Sequence, residues 1–127
     1  IPVVCVGESS LIRSEGLATS YVRDQVLSSC EDLTEDLVIA YEPVWAIGSG
    51  EAASADVASE MHLEIKAVLA DRYPELRVLY GGSVKPDNCA AFTMATGIDG
   101  LLVGGASLSA ESFWNICASA KGAEEWK

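Results

Sequence analysis

The sequence is poor in basic residues and has no long apolar segment. Eight Lys and Arg stand against 19 Asp and Glu in 127 residues, which gives a formal net charge of −11. Nucleic acids and anionic membranes recruit clustered Lys and Arg, so neither is expected as a partner. No apolar run in the sequence approaches the ~20 residues that a membrane-spanning helix needs. An anionic ligand would therefore depend on local groups, because the overall field repels it.

Cysteine is scarce as well. Cys5, Cys30, Cys89 and Cys117 are widely spaced, with neither a Cys-x-x-Cys pair nor a neighbouring histidine cluster. This spacing argues against metal binding and predicts reduced thiols in a cytoplasmic protein. The chain starts directly on an apolar segment, residues 1–6, that lacks the basic flank and cleavage site of a signal peptide, as if it had been cut.

Strand-like and helix-like segments alternate four times along the chain. The alternation predicts an α/β fold of four consecutive βα units with parallel strands and right-handed crossovers. Four units form either a small open sheet or half of an eight-unit barrel, which takes about 250 residues. The tail, 122–127, is expected to fray. The predicted strands are 3–6, 37–41, 77–80 and 101–103, and the predicted helices are 17–30, 54–71, 86–96 and 110–120.

The unusual residues follow the strands, where parallel α/β folds place their active sites. Glu42 ends the second strand, and limited solvation there would suit a catalytic base. An apolar stretch follows between a proline and a Gly-Ser-Gly segment, which predicts a lid that closes over a ligand and excludes water. The alternative is a surface loop with a buried Trp and an exposed Glu. The predicted lid comprises Pro43, Val44, Trp45, Ala46, Ile47, Gly48, Ser49 and Gly50.

Two later turns carry paired glycines. Gly81 and Gly82 precede Ser83, and Gly104 and Gly105 follow the fourth strand. Paired glycines let backbone N–H groups approach an anion, and the helix start behind them adds a favourable dipole. One pair alone is weak, because turns after strands often contain Gly. Two pairs in consecutive units, after a Gly-Ser-Gly loop, predict a phosphate-binding cradle.

Four runs resemble one known family. Ala-Tyr-Glu-Pro-Val-Trp-Ala-Ile-Gly-Ser-Gly at 40–50 resembles the signature of triosephosphate isomerases, with Ser49 where Thr is common. Cys-Val-Gly-Glu at 5–8, Tyr-Gly-Gly-Ser-Val at 80–84 and Gly-Leu-Leu-Val-Gly-Gly-Ala-Ser-Leu at 100–108 also match in order and spacing. The resemblance implies that residues 1–127 are a single C-terminal half of a (β/α)₈ TIM barrel, with strands five to eight.

The resemblance also implies roles for individual residues. Glu42 would be the base that interconverts D-glyceraldehyde 3-phosphate and dihydroxyacetone phosphate, through an enediolate, in glycolysis and gluconeogenesis. Gly48, Ser83, Gly104 and Gly105 would bind the substrate phosphate. No metal or organic cofactor is implied.

Further residues resemble supporting parts of that site. Tyr80 and Ser83 resemble the residues that latch the closed lid, and Cys5 and Glu8 are expected to support the site rather than to react. His62 is expected to be a surface or partly packed helical residue and not a catalytic acid. Lys85 is expected to be solvated at a helix start.

The family also uses an Asn, a Lys and a His from its N-terminal half, for which this sequence has no counterpart. The activity of the isolated chain is therefore open, and a non-catalytic half-barrel that binds phosphate or self-associates is the alternative. Open strand edges invite pairing, so the expected partner is a second copy, as in a homodimer, or a complementing N-terminal half.

Overall fold

The computed structural model describes residues 1–34, 36–47 and 52–120. Strands and helices alternate along this part of the chain, and two short 3₁₀ turns, Val44–Ala46 and Gly105–Leu108, follow β2 and β4. The strands are β1 (Val3–Val6), β2 (Val38–Tyr41), β3 (Arg77–Tyr80) and β4 (Gly100–Leu101), and the helices are α1 (Ser10–Ser14), α2 (Ala18–Ser29), α3 (Ala55–Leu69), α4 (Cys89–Thr93) and α5 (Ala110–Ala120).

The strands form one parallel sheet in the order β1-β2-β3-β4. In its register Val6 lies beside Tyr41, Tyr41 beside Tyr80, and Tyr80 beside Leu101. Each connection leads to the adjacent strand, always in the same direction across the sheet. Crossovers that all have the same handedness therefore place all the helices on one face of the sheet. The predicted α/β fold with parallel strands is confirmed, and the sheet is that of a partial TIM barrel.

The two faces of the sheet differ in burial. We call the side of Val6, Ile39, Tyr41, Val78 and Tyr80 the covered face, since all five are buried in one core with α2 to α5. Alternate residues point the other way.

We call this second side the open face. Its outer members, Val3, Cys5 and Arg77, are exposed, and Leu79 is half-buried. Within the described residues, β1 and β4 each pair with one strand only. In the part of the chain that the structure describes, the sheet therefore has one face covered by helices, one uncovered face and two unpaired edges.

Three elements differ from the sequence prediction. Helix α1 was not predicted; it begins after Ser9, whose hydroxyl accepts the Ile12 N–H, and it ends before Gly16, which has a φ of 74°. Helix α4 is shorter than 86–96, because the Asn88 side chain bonds the Lys85 N–H and the Ser83 carbonyl and holds that segment as a turn. The last strand ends at Leu101 rather than 103.

The start of α3 agrees with the predicted helix 54–71. Ser54 caps α3, its hydroxyl accepting the Val57 N–H at 3.3 Å, and Asp56 lies in the first turn of that helix. Gly97, which was expected to follow the predicted helix 86–96 directly, has a φ of 85° but lies four residues beyond Thr93, where α4 ends. In the described part of the chain, no helix combines the length and apolar character needed to cross a membrane. The tail 122–127 lies outside the described residues.

Candidate active site

Glu42 lies directly after β2, between glycines on both neighbouring strands. Its N–H donates to the Val6 carbonyl at 2.7 Å, and the Gly81 N–H donates to the Tyr41 carbonyl at 2.8 Å, so the ladder continues past the strand ends. A Cβ at Gly7 would lie 1.8 Å from the Glu42 carbonyl oxygen, and one at Gly81 would lie 2.7 Å from the Glu42 Cγ. The two glycines therefore create the space that Glu42 occupies.

A cleft of about 680 Å³ brings the candidate residues together. Glu42 lies in its wall beside the Gly81–Val84 turn and the Gly104–Ala106 turn. The sequence placed these groups after three different strands, and the structure places them around one space. Lys85 also lines the cleft and is exposed, as expected, but it precedes α4 by four residues and is not at the helix start.

The two glycine pairs differ in their surroundings. A Cβ at Gly82 would lie 2.2 Å from the Tyr80 hydroxyl oxygen, so packing excludes a side chain there. At Gly104 and Gly105 a Cβ would meet nothing within 4 Å. Gly81 and Gly82 thus have a packing function that the sequence did not reveal, whereas packing gives no reason for the Gly104–Gly105 pair.

The first part of the predicted lid is a 3₁₀ turn, Val44–Ala46, fixed at two points. The Val44 N–H donates to the Glu8 carbonyl at 3.0 Å, and the Ala46 carbonyl accepts the Ser83 N–H at 3.0 Å. Ala46 is buried, while Val44 and Ile47 are about half exposed, 55% and 47%. Gly48, Ser49 and Gly50, the other predicted lid residues, lie outside the described residues.

Glu8 is a fully buried carboxylate that holds this turn. It accepts the Trp45 indole N–H at 2.8 Å and the Tyr41 hydroxyl at 3.0 Å. Burial, followed by the negative charge of Glu8, raises the pKa of Tyr41 and keeps its hydroxyl a donor. The expectation that Glu8 would support the site agrees with this geometry.

Arg13 completes the group and was missed in the sequence. Its Nη1 lies 2.8 Å from Glu8 Oε1, and its guanidinium stacks 4.9 Å from the centre of the Trp45 ring. Only its position in the turn after β1 could have indicated this role, because an arginine in a short polar segment has no distinguishing pattern.

Tyr80 contacts the backbone that follows the undescribed segment 48–51. Its hydroxyl accepts the Ala53 N–H at 3.2 Å, and its ring stacks on Phe92 with centroids 4.0 Å apart. Burial raises the pKa of Tyr80, and the Ala53 N–H lowers it by a smaller amount. Both residues of this hydrogen bond follow the undescribed segment 48–51 in the sequence, and the latch role of Tyr80 stays a prediction.

His62 is far more deeply buried than expected. It lies in α3 at 0% exposure, edge-on to Tyr41 at 5.8 Å. In the described part of the chain, neither ring nitrogen has a hydrogen-bond partner; the Gly97 and Val78 backbone is close enough to raise its pKa slightly, but burial dominates and lowers the pKa to about 4. Its place behind the covered face separates it from the Glu42 cleft.

Burial raises the pKa of Cys5, and the charge of Glu42 raises it further. Cys5 lies on β1 in register with Ala40, two residues before Glu42, on the open face. Among the described residues, no three His, Cys, Asp or Glu side chains are arranged to hold a metal ion.

Comparison with known proteins identifies the family. Residues 1–120 match the family model of triosephosphate isomerase. The chain is 48% identical to the triosephosphate isomerase of Xanthobacter flavus over 122 residues, which are 91% of this chain and 49% of the relative. It is 49% identical to that of Polynucleobacter asymbioticus over 123 residues, 91% of this chain and 49% of the relative.

A third relative gives the same result. The chain is 47% identical to the triosephosphate isomerase of Thermus thermophilus over 121 residues, 88% of this chain and 48% of the relative. The chain thus spans about half the length of the curated relatives it matches. With a match over almost its whole length, the chain belongs to the triosephosphate isomerase family.

Proposed function

We propose that this chain is the C-terminal half of a triosephosphate isomerase, corresponding to strands five to eight of the barrel, and supplies its catalytic base and phosphate-binding turns. The observation that carries the proposal is the position of Glu42. It lies between Gly7 and Gly81 on the wall of a cleft that Ser83, Gly104 and Gly105 also line. The reaction interconverts D-glyceraldehyde 3-phosphate and dihydroxyacetone phosphate.

Glu42 serves as the general base. A carboxylate at this point removes the proton from the carbon beside the substrate carbonyl and returns it to the neighbouring carbon. The flanking glycines support this role, because a side chain at either position would collide with Glu42 and displace it from the cleft wall. A base acts efficiently only when it is held within hydrogen-bond reach of the proton that it removes.

The Gly104–Gly105 turn, Ser83 and Gly48 bind the substrate phosphate. The open space at Gly104 and Gly105 supports this role, because exposed backbone without side chains suits an anion that needs N–H donors. Since the net charge of the chain is −11, local N–H groups rather than a general attractive field must hold the phosphate.

Phosphate binding moves the lid. The Ser83 N–H donates to the Ala46 carbonyl in this structure, so a phosphate that takes that N–H displaces the first lid turn. The half-exposed apolar side chains Val44 and Ile47 then gain a surface to cover, and closure excludes water from the enediolate. The lid comprises residues 43–50.

A partner supplies the Asn, Lys and His that the family uses and this sequence lacks. The exposed open face and the two open sheet edges support such a partner, because parallel sheets are ordinarily covered on both faces and open edges pair. A complementing N-terminal half can fill this role, whereas a second copy of the chain could cover the open face but would bring none of these three residues. A cytoplasmic location is part of the proposal, and the four free cysteines support it.

Turnover of D-glyceraldehyde 3-phosphate tests the function. The chain is assayed alone and together with the N-terminal half of the Thermus thermophilus relative, each beside Glu42→Gln and a control, Glu64→Gln, an exposed carboxylate of α3. We expect activity in the mixture that Glu64→Gln retains and Glu42→Gln loses by orders of magnitude. Activity that survives in Glu42→Gln would contradict the assignment of the base.

A second candidate is a phosphate-binding module without catalysis, which the open space at Gly104 and Gly105 would serve equally well. Inorganic phosphate titrated against the inactive mixture and against the chain alone, by calorimetry, separates the two. Phosphate binding without turnover would support the module, and neither binding nor turnover would contradict both readings. Light scattering on the isolated chain gives its association state; a sharp monomer peak would contradict self-association of the chain.

A further inference from the structure

Arg13 makes two contacts that converge on one lid residue. Its guanidinium pairs with Glu8, which accepts the Trp45 indole N–H, and the same guanidinium stacks on the Trp45 ring. Trp45 is therefore bound at its polar edge by the carboxylate and at its face by the cation. Both contacts depend on α1, which lies outside the lid and outside every motif that identifies the family.

The pair differs from an ordinary surface ion pair. Glu8 is fully buried, whereas the Arg13 side chain is 32% exposed. The guanidinium thus closes a buried carboxylate from the solvent side, and its planar group can pair with a carboxylate and stack on a ring at the same time. A lysine ammonium matches the charge but not the plane.

We propose that Arg13 is a positioning residue for the lid: together with Glu8 it clamps Trp45 against the end of the sheet and sets how readily the first lid turn leaves this conformation. The clamp itself stands on contacts within this chain. Its consequence for turnover rests on the proposed function, since only an active assembly has a catalytic lid.

The competing explanation is that Arg13 only neutralises Glu8 and supports the fold. Arg13→Lys separates the two, because it keeps the positive charge beside Glu8 and removes the stacking plane. Arg13→Gln removes the charge as well. Arg23→Gln, at an exposed arginine of α2, is the matched control.

The test uses Trp45 fluorescence in the full chain without substrate. The sequence has three tryptophans, so Trp114→Phe and Trp126→Phe leave Trp45 as the only indole emitter. Acrylamide quenching reports how often Trp45 is exposed. We expect the quenching constant to rise about 2- to 5-fold in Arg13→Gln and about 2-fold in Arg13→Lys, with a red-shifted emission, and to stay unchanged in Arg23→Gln.

Far-UV circular dichroism of each variant accompanies the quenching measurement. Unchanged quenching in folded Arg13→Lys and Arg13→Gln would overturn the proposal. If Arg13→Gln does not fold, Arg13→Lys decides alone: a raised constant supports the clamp, and a parental constant overturns it. Because no substrate is present, an inactive assembly would contradict the proposed function and leave this result unaffected.

Discussion

The two faces of the sheet carry similar strands but different chemistry. The covered face buries Val6, Ile39 and Tyr80 to 2% exposure or less against the helices. The open face leaves Val3 50% exposed and Cys5 in solvent, although both belong to the same strand as Val6. Glu42, the proposed base, lies at the rim of the open face.

The difference separates what holds the chain together from what the chain offers to a ligand or partner. Burial on the covered face is the source of stability, at about 25 cal/mol per Å² of apolar surface removed from water. The open face adds little burial within this chain. It is therefore the surface where added strands, by contributing burial, should change stability most.

The largest expected effect is the pH dependence of stability that arises from His62, a buried polar residue behind the covered face. His62 is fully buried, faces Tyr41 and Tyr80, and has Lys66 and Asp99 nearby. Burial lowers its folded-state pKa from 6.5 to about 4. Between these two pH values the unfolded chain binds a proton at His62 that the folded chain does not bind. The contribution of His62 to the free energy of unfolding is therefore fully present above pH 6.5 and is lost as the pH falls towards 4, by roughly 3 kcal/mol in total.

Urea unfolding at pH 7, 6 and 5 measures this dependence, with His62→Leu as the comparison. His62 is the only histidine, so the variant should lose most of the slope between pH 6.5 and 5. We also expect the variant to be no less stable than the parent at pH 7, because it removes a buried polar group without partners in the described residues. Equal slopes in the two proteins would refute the role of His62.

A matched pair on β1 tests the faces directly. Val6→Ala should cost about 2 kcal/mol in the free energy of unfolding, because Val6 is buried at 2% exposure. Val3→Ala should cost less than about 0.5 kcal/mol, since half of Val3 is exposed. Both substitutions lose the same strand propensity. The difference between the two free-energy costs therefore measures the difference in burial between the two faces. Denaturant unfolding of the two variants gives both values.

Adding complementary strands sharpens the same comparison. If they cover the open face, the cost of Val3→Ala should rise in the mixture while that of Val6→Ala stays nearly constant. An equal cost for the two variants in the isolated chain would mean that the faces do not differ in solution.

The fold was predictable wherever the pattern was local. Apolar runs marked the first three strands within a residue, and Ser54 marked the start of α3. Glu42 was singled out because it ends such a run, and its role as a base stays a prediction. These signals come from residues that are close together in the sequence, so they can be read without the structure.

The failures depended on contacts that are distant in sequence. Helix α1 buries none of its five residues, so it has no apolar periodicity, and its role through Arg13 depends on a ring 32 positions away. The burial of His62 follows from the packing of α3 over two strands, which periodicity placed only beside the apolar stripe. The packing function of Gly7 and Gly81 appears only when three strands are aligned.

The smallest expected effect concerns the ion pair at the outer rim of the covered side. Lys66 of α3 lies 2.7 Å from Asp99, and both side chains are about 30% exposed, 30% and 31%. Such a pair contributes about 0.2–1 kcal/mol, and salt screens it. Asp99 also accepts the Val78 N–H at 2.7 Å, so the two partners are not equivalent.

A double-mutant cycle with Lys66→Met and Asp99→Asn isolates the charge interaction, because the introduced amide keeps an oxygen for the Val78 N–H. We expect a coupling below about 1 kcal/mol that shrinks in 1 M NaCl. Asp99→Ala should cost about 1–3 kcal/mol, since the Val78 N–H of the central sheet then loses its partner. A salt-independent coupling above about 2 kcal/mol would mean that charge pairing, and not burial alone, fastens the helices to the covered face.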